Sequence, residues 1–161
     1  MVKWINSLVS LSAVLAGLLI LIVCGVTFFE VVSRYVFNTP TTWSIDISVY
    51  GVFWATFLGG AYTLREGGHV AVDVVVRKLG GGFRNSIAVL VFFCVAAFCT
   101  IVAWRGWVAC IDAYEFGEVT MSVLRFPLYV PMAAVPVGGT LMALQALLMA
   151  AARLPNQEPE R

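Results

Sequence analysis

Charge is scarce in this chain: 12% of its 161 residues are Asp, Glu, Lys or Arg, against about a quarter in a soluble domain. Ten Lys and Arg stand against nine Asp and Glu, a formal charge of +1, which leaves no basic surface for a nucleic acid. Histidine occurs once, as His69, and the four cysteines show no Cys-x-x-Cys spacing. A zinc framework, a bis-histidine haem and a redox dithiol couple are thereby excluded. What is abundant is apolar: 61% of the residues, with a mean hydropathy of +0.93. The class is an integral membrane protein.

Four uncharged runs follow one another. Leu8 to Phe29 holds 22 residues, and at about 1.5 Å per residue it outreaches the roughly 30 Å of bilayer hydrocarbon. It is too long for the core of a signal peptide, and no small-x-small cleavage site shows near Ala13, Ala16 and Gly17, so this span is expected to stay in the mature protein. Ile47 to Leu64 holds 18 residues between Asp46 and Arg65, with Trp43 just ahead. Ser86 to Trp104 holds 19, and the helix is expected to run past Arg105 toward Tyr114, with Trp104, Trp107 and Tyr114 as an aromatic belt. Phe126 to Ala152 holds 27, with Pro127, Pro131 and Pro136 ahead of Gly138 and Gly139, which predicts a kink in its early turns. The expected fold is all-α: one membrane domain over 1–161 with four transmembrane helices and a flexible tail over 153–161. Proline falls inside the last span alone, so the internal repeat of many single-chain transporters is not visible.

Lys and Arg set the orientation. Seven lie on the side of Lys3, Arg65, Arg77, Lys78, Arg84, Arg153 and Arg161, and three on the side of Arg34, Arg105 and Arg125. Both termini are expected in the cytoplasm, with the loop around Arg34 and the loop from Ile111 to Arg125 outside. Arg77, Lys78 and Arg84, with Trp104 and Trp107, are the candidate membrane-interface anchors.

Every carboxylate and arginine falls between these runs or at their ends, so no ionisable group is expected deep in the hydrocarbon, where a proton relay or ion-coupling site would lie. Cys24, Cys94, Cys99 and Cys110 read as small hydrophobes. Glu30 and Arg34 are four apart on one helix face; they form a local interfacial pair or reach Trp43 or Asp46 across the tight connection from Asn38 to Thr42. After the second span, a helix over 69–79 sets His69, Asp73 and Arg77 four apart, while Val72, Val75, Val76 and Leu79 form an apolar stripe. This is a short amphipathic helix on the inner leaflet, ended by Gly80, Gly81 and Gly82. His69 has no further imidazole or thiol beside it and is expected to hydrogen-bond Asp73 or Arg65 rather than hold a metal. Small residues recur at four-residue spacing, Ala13 with Gly17, Ala134 with Gly138 and Gly139 with Ala143, which allows close helix contact.

Three stretches carry more than composition. The first is Glu30-x-x-x-Arg34-Tyr35-Val36-Phe37-Asn38-x-Pro40-x-x-Trp43-x-x-Asp46, the second is Trp54-x-x-Phe57-Leu58-Gly59-Gly60-Ala61, and the third is Arg65-x-Gly67-x-His69-Val70-x-Val72-Asp73. Together they resemble the small membrane subunit of the TRAP transporters, the tripartite ATP-independent periplasmic transporters of bacteria and archaea. Phe126-Pro127-Leu128 followed by Pro136-Val137-Gly138 is similar to that family's last span. Two positions depart from the pattern: Ile45 precedes Asp46 where relatives often carry two acidic residues, and Val49 stands where an Arg is common.

The resemblance implies a division of labour in the bacterial cytoplasmic membrane. A soluble periplasmic binding protein captures an organic acid, a large elevator-type membrane subunit holds the substrate and sodium sites, and the small subunit enlarges the static scaffold. It implies no enzyme activity, cofactor, metal or substrate site in this chain, and a structural role for Glu30, Arg34, Tyr35, Asn38, Pro40, Trp43, Asp46, Arg65, Gly67, His69 and Asp73. Arg34, Asp112, Glu115, Glu118 and Arg125 are the candidates for docking the binding protein. The rival class, a membrane anchor of a multi-subunit oxidoreductase, requires haem-ligating histidines inside the spans. A stand-alone channel requires a polar pore stripe, and none is visible.

Overall fold

A computed structural model describes residues 2–66, 81–122 and 124–153. The uncharged runs become helices because nothing in them competes with backbone pairing, and in lipid every backbone polar group must be satisfied internally. In chain order these are α1 (Val2–Tyr35), α2 (Trp43–Arg65), α3 (Gly81–Glu115), the single turn α4 (Tyr129–Met132) and α5 (Ala134–Arg153). Among the described residues four segments are long and apolar enough to cross a bilayer, Trp4–Tyr35, Trp43–Arg65, Val89–Glu115 and Tyr129–Ala151. The protein is an all-α membrane protein. The helix expected over 69–79, with Gly67, His69, Asp73, Arg77 and Lys78, lies outside the described residues, as does the tail beyond Arg153.

Boundaries differ from the sequence expectation in three places. α1 outruns 8–29 at both ends; its 34 residues extend about 51 Å at the standard helical rise. Gly81 and Gly82, expected to end the preceding helix, open α3 instead. The fourth span starts at Tyr129 rather than Phe126, because Phe126 and Pro127 belong to a hairpin in which Val119 bridges Pro127 and the Thr120 N–H donates to the Phe126 carbonyl at 2.8 Å. The chain then turns at Ala133 between α4 and α5. Pro131 and Pro136 each fall in a first helical turn, where a missing N–H costs nothing.

The helices stand in a row, α1, α2, α5, α3, and among the described residues α1 and α3 do not touch. Antiparallel α1 and α2 are joined by the Ser12 hydroxyl, within hydrogen-bond distance of the Leu58 carbonyl at 3.0 Å, by Thr27 and Ser48 at 3.4 Å, and by the rings of Phe29 and Trp43 at 6.1 Å. Parallel α2 and α5 approach so closely that a Cβ on Gly138 would stand 2.5 Å from the Phe57 carbonyl oxygen. Antiparallel α5 and α3 meet at Gly139 against Ala103 and at Pro136 against Gly106. Alanine dominates these seams, with Ala16, Ala55, Ala61, Ala96, Ala103, Ala143, Ala146 and Ala150 all buried. Lipid tails are as apolar as leucine, so helices in a bilayer gain by close approach over small residues rather than by hiding large ones.

Candidate functional site

Polar chemistry gathers at the two ends of the row. At the end where α2 finishes, Arg65 Nη1 donates to the Asn6 carbonyl at 3.1 Å and to the Ser10 hydroxyl at 2.8 Å, its guanidinium lies 4.7 Å over the Tyr62 ring, and Nη2 meets Glu66 at 3.3 Å. Arg65 therefore pins α2 to α1. At the opposite end Arg34 donates through Nε and Nη2 to the same Glu30 oxygen, at 2.9 and 2.6 Å. This is a local i, i+4 pair, and the contact across to α2 is made by Phe29 and Trp43 instead. Asn38, with φ of +53°, reverses the chain, and the Ser33 hydroxyl donates to the Thr39 carbonyl at 2.6 Å while the Thr39 N–H returns to the Ser33 carbonyl at 3.1 Å. Tyr35 and Pro40 sit exposed at this corner.

The docking candidates divide between two places. Asp112 and Glu115 are exposed on the last turn of α3; Glu118 and Arg125 are exposed on the following hairpin, which is held by the Leu128 N–H donating to the Glu118 carbonyl at 2.9 Å. Tyr50 of α2 packs on Phe126 of that hairpin, and the Trp54 indole N–H donates to the Val130 carbonyl at 3.2 Å. Arg34, expected beside these acids, stands instead on α1 at the other edge of the row, because α2 and α5 intervene.

Three features of the spans went unread in the sequence. Gln145, 3% exposed, has an amide oxygen with no partner among the described residues, and one carboxylate oxygen of Asp46 is likewise buried and unpaired among them. A lone amide in a long uncharged run was the available signal for Gln145. The third is Arg105. Ala103 meets Gly139, and Gly138 meets Phe57, so these residues share one level. Phe57 lies 14 residues from Trp43 and eight from Arg65, about 21 and 12 Å along α2. Arg105 and its neighbours Trp104 and Trp107 thus lie level with the middle of the row, not at its outer rim where the sequence placed them. The helix continues ten residues beyond the charge, to one residue past the expected Tyr114, so Arg105 lies inside the spanning segment Val89–Glu115 and not at the end of a span where the sequence reading put every arginine. Arg105 is exposed and has no ion pair among the described residues. No group of His, Cys, Asp and Glu among those residues is arranged to hold a metal ion.

Residues 23–156 match the model of the DctQ component of the tripartite ATP-independent periplasmic transporters. The chain belongs to this family. Among its relatives, the C4-dicarboxylate TRAP transporter small permease protein DctQ of Vibrio cholerae is 26% identical over 145 residues, 77% of this chain and 62% of that one. The protein of the same description from Rhodobacter capsulatus is 28% identical over 108 residues, 67% of this chain and 47% of its own length. This chain therefore covers between about half and three fifths of these two relatives. The isethionate TRAP transporter permease protein DctMQ of Oleidesulfovibrio alaskensis matches over 148 residues at 22% identity, 89% of this chain but 23% of that much longer protein. DctQ proteins are transporter components, not enzymes.

Proposed function

We propose that this DctQ chain is the non-catalytic scaffold subunit of a sodium-driven TRAP transporter for organic acids in the bacterial cytoplasmic membrane. It packs on the large elevator-type subunit, where substrate and sodium are bound, and its hairpin end helps seat the periplasmic binding protein. Both termini lie in the cytoplasm. The observation that carries this reading is the open row: four spanning segments of which, among the described residues, the first and third do not touch, and which leave large apolar side chains such as Leu21, Phe28, Phe93 and Phe98 outward. The much longer DctMQ relative, in which the matched stretch is one part of a permease protein, supports a larger membrane partner. Acidic Glu115 and Glu118 at the hairpin end offer the charge on which a soluble partner can be steered.

The test is purification of the tagged chain from its native host in mild detergent. A stoichiometric, larger multispan protein is expected; the chain alone, or a haem protein in its company, rejects the reading. Substituting Glu115→Lys and Glu118→Lys together should slow substrate uptake while the membrane complex stays intact, and unchanged uptake removes the docking role.

A further inference from the structure

Arg105 sits where a bilayer offers it nothing. It lies on the span Val89–Glu115, exposed on the helix, level with the middle of α2. The outer end of α3 is ten residues away, about 15 Å, farther than an arginine side chain reaches. A guanidinium at that depth is costly in hydrocarbon and is found paired or facing protein. Cys94, Phe98, Ile101, Arg105 and Val108 follow one another at alternating spacings of four and three, and all five are exposed. That spacing traces one straight stripe along a helix, the geometry a second helix packed alongside would use, and this stripe, the one that carries the charge, lies on the side of α3 turned away from Ala96 and Ala103, buried toward α5, and from Cys110, buried toward α4.

We infer that this α3 stripe is the face that receives a transmembrane helix of the large permease subunit, and that a carboxylate on that helix pairs with Arg105 within the bilayer. The inference rests on the function proposed above for the identity of the partner. Charge selects the occupant. A lipid tail cannot satisfy the guanidinium, and a second copy packed on the same stripe with the same sense would bring two Arg105 side chains together. A partner helix with one acidic residue at mid-depth removes both penalties, since opposite charges inside low-dielectric surroundings attract strongly.

The test uses the complex purified through the tagged chain. Arg105→Glu is expected to cut recovery of the large subunit at least tenfold, Arg105→Leu nearly as much, and Arg105→Lys far less. Arg105 makes no ion pair among the described residues, so the abundance and melting temperature of the isolated chain should not fall. Suppressors of Arg105→Glu, selected for restored uptake, should replace a single membrane-embedded Asp or Glu of the large subunit by Lys or Arg. As a second measurement that keeps the arginine, a photoreactive benzoylphenylalanine at Ile101 should crosslink to the large subunit. Wild-type recovery with Arg105→Glu, or crosslinks only to lipid or to a second copy, overturns the inference while the scaffold reading stands. Absence of the large subunit from the wild-type preparation overturns both.

Discussion

At the scale of single residues, two glycines separate what this fold needs from what it tolerates. A Cβ on Gly138 would stand 2.5 and 2.6 Å from the Phe57 carbonyl oxygen and Cβ, atoms that cannot swing aside. Gly17 has nothing within 4 Å of the same position. Gly138→Ala is therefore expected to destabilise by about 1–3 kcal/mol, the usual cost of overpacking, whereas Gly17→Ala should be neutral or slightly stabilising through helix propensity. A thiol-reactive dye reads this directly, because Cys99 and Cys110 are buried and react on unfolding. Equal melting temperatures for Gly138→Ala and wild type would mean that α2 and α5 do not approach as described. Ala13 and Gly17 read in sequence as a close-contact face, for packing within the unit or against a larger partner; within this chain Ala16, one residue away, is the buried one. Small-residue spacing shows that a close face exists; it does not say which of two adjacent stripes is used.

At the scale of elements, α3 is stopped by its ending rather than by loss of apolar residues. The Glu118 N–H donates to the Ala113 carbonyl at 3.0 Å and the Gly117 N–H to the Tyr114 carbonyl at 3.2 Å, with Gly117 at φ of +61°, the pattern of a left-handed helix cap. Gly117→Ala should cost about 1 kcal/mol and Gly117→Asn clearly less, in the same melting assay; a neutral alanine would show that the cap does not fix the hairpin. Helix existence was legible because charge-free runs of spanning length have few folded alternatives. Helix order was not. Side chains on these helices are apolar all round, since lipid and protein interior accept the same residues, so no amphipathic stripe marks the packed face. The start of the fourth span was misplaced for a related reason: Phe126 and Pro127 are apolar enough to join a span yet serve in the hairpin, through the Tyr50 contact and the Val119 bridge. Arg105 closes an uncharged run but not its helix, which the sequence already carried on toward Tyr114; its level in the row was not legible, because it depends on which helix packs on α3.

At the scale of the whole molecule, the row fixes sidedness in two separable steps. The contacts that run α1 against α2, α2 beside α5 and α5 against α3 put the Asn38 corner and the Glu118 hairpin at one end, and Arg65 with Asn6 at the other. This holds whichever way the protein is inserted. The excess of Lys and Arg on the Arg65 side then places that end in the cytoplasm, as proposed. Single cysteines placed by Asn38→Cys, Glu118→Cys and Glu66→Cys, with the four native cysteines replaced, report both steps through a membrane-impermeant maleimide. The first two should label in intact spheroplasts and the third only after lysis. Labelling of Glu66→Cys alone would reverse the insertion and leave the fold intact. A split between Asn38→Cys and Glu118→Cys would break the row itself, because an odd number of crossings would then separate two points that α2 and α3 place at the same end.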